Sequence, residues 1–109
     1  MKKYLYFFGY ETPQQFAANR ENGWDDEESH AVFVIASSES EALRWGREIS
    51  EAFVAELFQD TVVSWKQMNY AHGIETNPEE QYSVAEMQAI PVVQVGQWPK
   101  WDGVYQHES

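Results

Sequence analysis

The sequence predicts an α+β fold: a two-layer sandwich in which an about four-stranded mixed sheet carries one long helix and one or two short ones on one face. Three observations predict it. Aromatic and β-branched runs stand out as short strands at residues 4–10, 30–36 and 92–95. One long segment of helical period separates the second run from the rest of the chain. The length, 109 residues, suits one domain, residues 1–109, with one modest core.

The first run, "KKYLYFFGY", places Tyr4, Tyr6, Phe8 and Tyr10 on one face of a strand and Leu5, Phe7 and Gly9 on the other. Both faces are apolar, which predicts a central strand covered by helices on one side and partly on the other. "ETPQQFAANRENG" carries helix signals at both ends. Thr12 and Gln15 make a capping box, Pro13 suits the first helical position, and Gly23 suits the residue after the last, so a helix is predicted over Pro13–Asn22. "WDDEES" reads as a loop, and "HAVFVIA" as a buried strand over residues 30–36.

The strongest helix follows. Ser38 and Glu41 have capping-box spacing, and Ala42, Gly46, Ile49, Phe53 and Leu57 form one apolar stripe. Trp45 and Ala52 flank that stripe. A mid-helix glycine costs about 1 kcal/mol against alanine, so Gly46 predicts a close approach of the helix backbone to the sheet. "DTVVSWKQMNYAHGI" reads as a longer strand over residues 61–70 with imperfect alternation, which predicts an exposed face, a bulge or an edge position. Asn77 before Pro78 suits a single helical turn, Ser83 and Glu86 cap a short helix ended by Pro91, and "VVQV" is a last short strand. The order is β-α-β-α-β-(α)-β. The first crossover is long enough for either a parallel or an antiparallel return.

Eighteen acids against seven bases give a net charge of −11. The overall field repels nucleic acid and anionic membrane and attracts a basic protein partner. Solubility alone is the plainer account of the same charge. With no cysteine, disulfides, thiolate zinc sites and cysteine nucleophiles are excluded, and a reducing, cytoplasmic location is expected. Two lysines before residues 4–10 imitate a signal peptide, but the run lacks a small-residue cleavage site and reads better as a strand. No stretch approaches the ~20 apolar residues of a membrane span.

Catalytic motifs are lacking. There is no Gly-x-Ser-x-Gly elbow and no glycine-rich phosphate loop, and Glu39 and Glu41 already occupy the first turn of the long helix. Asp25, Asp26, Glu27, Glu28 and His30 offer metal ligands without the alternate spacing and glycine turn of a calcium loop, so neither a metal nor another cofactor is expected. His72, with Tyr70 and Glu75 nearby, is the alternative: a small-ligand or enzyme site in which the three serve proton transfer. A loop histidine with ordinary hydrogen bonds explains it equally simply.

Five tryptophans are more informative. Trp45 and Trp65 lie in regular elements and are expected in or beside the core. Trp24, Trp98 and Trp101, with Tyr105, lie in a loop and the tail. They serve as cover for a sheet face, as interface anchors, or as stacking platforms for a flat ligand. The composite reading is a small acidic protein-binding module, an inhibitor or immunity-type protein for a basic partner. Its expected protein-binding residues are Trp24, Asp25, Asp26, Glu27, Glu28, Trp98, Trp101 and Tyr105. A homodimer formed through an exposed third strand is compatible with this reading.

Overall fold

A computed structural model describes residues 1–59 and 64–100. It contains β1 (Lys2–Tyr10), α1 (Pro13–Asn22), β2 (Glu28–Ala36), α2 (Glu39–Phe58), a 3-10 turn (Trp65–Gln67), β3 (His72–Glu75), α3 (Pro78–Gln81), α4 (Val84–Ala89) and β4 (Val92–Gln94). The four strands form one mixed sheet in the order β3-β1-β2-β4, an α+β architecture. β1 is central, as its two apolar faces predict. It pairs antiparallel with β2 and β3, while β2 pairs parallel with β4. The first crossover therefore returns antiparallel.

Register sorts the side chains. Tyr6 lies opposite Val32 and Phe8 opposite His30, so the even-numbered residues of both strands share one face. On that face Tyr6, Phe8, Tyr10, Val32, Val34, Ala36 and Val93 join Ala42, Ile49, Phe53, Val54 and Leu57 of α2 in one core. The stripe read from the sequence is the buried side of α2, extended by Ser50 and Val54. On the opposite face Leu5 and Phe33 are also buried, and the Lys3 ammonium lies 4.8 Å from the Phe33 ring centroid.

Gly46 is where the helix comes closest. A Cβ at this position would lie 2.4 Å from two ring carbons of Tyr6. That ring cannot step aside: Tyr6 is 0% exposed, its hydroxyl bonds Ser50 Oγ at 2.8 Å, and Ser50 Oγ donates onward to the Gly46 carbonyl at 3.0 Å. Gly46→Ala therefore destabilises the protein, by up to about 2 kcal/mol. The overlap, at about 1–3 kcal/mol, exceeds the roughly 1 kcal/mol gained in helix propensity. Urea unfolding measures this, and the same substitution in a Tyr6→Leu background loses most of its cost.

The buried phenol also sets an alkaline limit. Burial pushes the Tyr6 pKa from 10.0 up to about 12, against smaller opposing effects from the Ser50 bond and the Arg47 charge. The folded state thus holds this proton more tightly than the unfolded chain does. The associated stability is complete below pH 10 and is lost as pH rises through about 12, a decline of roughly 2–3 kcal/mol. Urea midpoints should fall between pH 10 and 12, and Tyr6→Phe should flatten the fall.

The expected third strand is corrected. Residues 60–63 lie outside the described residues, and 64–70 form no strand. Instead Trp65 is buried in the 3-10 turn and its Nε1–H donates to the Gly9 carbonyl at 2.8 Å. The strand begins later, at His72, and is an edge strand. A buried indole with a partner 56 residues away outweighs local β-propensity here. The cap of α2 also differs in one respect: Ser38 Oγ accepts from the Glu41 N–H, but the Glu41 carboxylate turns to the N–H and hydroxyl of Ser37. The capping boxes at Thr12 and Ser83 are both complete. β2 starts two residues earlier than read, at Glu28.

Candidate functional site

At the end of the sheet where β1 stops, α1 and the acidic loop enclose a groove of about 340 Å³. The capping box at Thr12 starts α1 directly after β1, so the helix leaves the strand at a fixed angle. Phe16 and Arg20 lie one turn apart on α1 and form one wall, with the guanidinium 4.4 Å from the ring centroid. Gly23 ends the helix in the left-handed conformation (φ +71°) that favours glycine, and its N–H donates to the Asn19 carbonyl at 2.8 Å. The chain then turns so that Trp24, Asp25 and Glu27 form the second wall. Met68, Asn69 and Tyr70, leading into β3, complete the groove with Glu11.

Asn19 holds the loop in shape. It is buried, its amide donates to Glu11 Oε2 and to the Asp26 carbonyl (2.8 Å), and its oxygen accepts from the Asp26 N–H at 3.2 Å. Glu11 Oε1 accepts from the Tyr70 hydroxyl at 2.5 Å. Burial, the bond to Glu11 and the charges of Glu11 and Glu27 together drive the Tyr70 pKa well above its ordinary value, so this phenol keeps its proton and remains a donor. One carboxylate thus ties β1, α1 and the entry to β3 together. Among the described residues, no donor bonds the carboxylates of Asp25 and Glu27. Glu28 sits in β2 and accepts from the Gln15 amide at 3.2 Å.

Trp24 is 57% exposed, so it is not tucked into the core. Of the expected protein-binding residues, Trp24, Asp25 and Glu27 line the groove, while Asp26 and Glu28 are exposed beside it. Trp98 belongs to a separate patch. Its ring meets Trp45 of α2 at 4.8 Å between centroids, and the Trp45 Nε1–H donates to the Gln97 carbonyl at 3.0 Å. This part of the tail thus folds onto the helix layer, not across the open face of the sheet. Trp101, Tyr105 and His107 lie outside the described residues.

The His72 cluster does not converge. His72 lies opposite Phe8 and Glu75 opposite Leu5, which puts them on opposite faces of β3. His72 is exposed, with its ring 5.1 Å from Trp65 and its Nδ1 3.3 Å from the Tyr70 carbonyl. Tyr70 instead faces Glu11 in the groove. Among the described residues no three His, Asp or Glu side chains gather as metal ligands would, and no helix is long and apolar enough to cross a membrane.

Sequence reading missed Glu11, Phe16, Arg20 and Met68. Phe16 and Arg20 carried a usable signal, an aromatic and a cation at i, i+4 on a helix of few apolar residues. Glu11 and Met68 carried none, since 57 residues separate them and only the β1–β3 pairing brings them together.

The fold and groove define a class: a small α+β scaffold presenting a concave, acidic, aromatic-lined surface. Comparison with known proteins adds no closer identity, because no family model, curated protein or solved structure matches the chain.

Proposed function

We propose that this chain is a small protein-binding module whose acidic groove engages a basic protein partner, in the manner of an inhibitor or immunity-type protein that covers the nucleic-acid-binding surface of a nuclease or toxin. The observation that carries the reading is Trp24, more than half exposed between Asp25 and the groove it lines with Glu27. Acids give steering and register, and a ring beside them supplies the apolar anchor. The loop that holds them is pinned by Asn19, so little ordering cost is left for binding. A homodimer through the exposed edge strand β3 is compatible with this reading as an addition. A cysteine-free chain suits the cytoplasm.

The test is association kinetics with a basic protein retained from the source cell by the immobilised chain. Neutralising Asp25, Asp26, Glu27 and Glu28 together should slow association, and Trp24→Ala should speed dissociation. A partner that binds both variants as it binds the parent contradicts the proposal.

A further inference from the structure

We infer that the groove is a receptor for one arginine side chain of the partner, whose guanidinium lies on the Trp24 ring and bonds the carboxylates of Asp25 and Glu27. This rests on the proposed protein-binding reading and adds to it the chemistry of the anchor.

The size fits. At about 340 Å³ the groove is at the small end of the range for ligand pockets, about 300–1,000 Å³, and has room for one long side chain. The chemistry fits as well. Trp24, Phe16 and Tyr70 line it together with three carboxylates, and Arg20 offsets only one of those charges. The carboxylates are not equivalent. Both oxygens of Glu11 are occupied, one by Asn19 and the other by Tyr70, so Glu11 positions the walls. Asp25 and Glu27 accept no bond among the described residues and stand ready for an incoming donor.

The groove also displays the expected contact in miniature, since the Arg20 guanidinium already lies 4.4 Å from the Phe16 ring centroid. Arginine is favoured over lysine for a stated reason. Its guanidinium is planar, more weakly hydrated than an ammonium, stacks on rings, and presents a fork of donors that two carboxylates can share.

The experiment compares a nine-residue oligo-arginine with a nine-residue oligo-lysine, equal in charge, by titration calorimetry at one fixed salt concentration. Four chains are used: the parent, Trp24→Phe, Trp24→Ala and the variant neutralised at Asp25, Asp26, Glu27 and Glu28. The parent should bind oligo-arginine about 5–10-fold more tightly than oligo-lysine. Trp24→Phe should keep most of that preference. Trp24→Ala should lose most of it, keeping only the part that the shared carboxylates supply, while leaving oligo-lysine affinity unchanged. Trp24 is exposed, so an unchanged circular dichroism spectrum and melting curve are expected for both Trp24 variants.

Equal affinity of the parent for the two peptides, or an arginine preference undiminished by Trp24→Ala, overturns the inference and leaves the acidic binding surface standing. Absence of binding to either peptide, or binding unaffected by neutralising the four acids, overturns the protein-binding reading and the inference with it.

Discussion

Trp65→Ala should lose about 3–5 kcal/mol of stability. Trp65 is 2% exposed and is among the largest fully enclosed side chains. Its ring meets Phe8 edge-on, 6.2 Å between centroids at 90°, and His72 at 5.1 Å. Removing it opens a cavity that the short 3-10 turn cannot refill, and it strips the Gly9 carbonyl of its 2.8 Å donor. Trp65→Phe separates the two contributions: it keeps most of the packing and loses the hydrogen bond, for about 1–3 kcal/mol. Against a typical total of about 5–15 kcal/mol, the alanine variant approaches the unfolding threshold. Urea unfolding followed by circular dichroism measures both.

The same substitution should reach the groove. The Met68 N–H donates to the Trp65 carbonyl at 3.1 Å, and the Gly9 N–H donates to the Ala71 carbonyl at 2.8 Å. The segment carrying Met68, Asn69 and Tyr70 is therefore hung between the Trp65 turn and the end of β1. Loosening that turn frees one wall of the site, whereas Gly46→Ala acts between the opposite part of α2 and Tyr6 and should leave the groove intact.

The second large effect is kinetic. Replacing Asp25, Asp26, Glu27 and Glu28 by their amides changes the net charge from −11 to −7, since −11 + 4 = −7. All four side chains are exposed and sequential, so the change removes a local concentration of field while burying nothing. Association with a basic partner should slow by about 10–100-fold at low salt. The difference should shrink steeply as salt rises, because the screening length drops from about 10 Å at 0.1 M to about 3 Å at 1 M. Trp24→Ala should leave the association rate nearly unchanged and raise the dissociation rate, since the ring acts after contact. Stopped-flow mixing at two salt concentrations separates the two effects. Stability should change little in either variant, because neither substitution removes a buried group.

Much of the scaffold was legible because its signals are local. Thr12 with Gln15, Pro13 and Gly23 bound α1 by cap chemistry that acts within a few residues, and the structure repeats those bounds. Gly46 announced a close contact because nothing else justifies glycine in a buried helix stripe, although the sequence could not name Tyr6 as the contact. The two-residue period of β1 assigned both faces correctly. What failed was non-local. Trp65 reads as a strand residue by propensity and is instead a plug whose partner, Gly9, lies far along the chain. The site behaved the same way. Trp24 and its acids were visible as composition, but the groove exists only because Asn19 bends the loop towards Glu11 and because β3 pairs with β1, delivering Tyr70 to the same place. Tyr70 was read from the sequence with His72 and Glu75, but it precedes β3 and bonds Glu11 in the groove, while strand alternation parts His72 from Glu75.

The central claim is that one acidic, aromatic groove is the binding surface. Amide chemical-shift mapping on the isotope-labelled chain, titrated with the retained basic partner, tests it most directly. The account predicts that perturbations concentrate on Trp24, Asp25, Asp26, Glu27, Phe16 and Tyr70, with the Trp24 indole signal moving furthest. Perturbations confined to the Trp45–Trp98 patch, or to the open face of the sheet around Phe7 and Ile35, would contradict it.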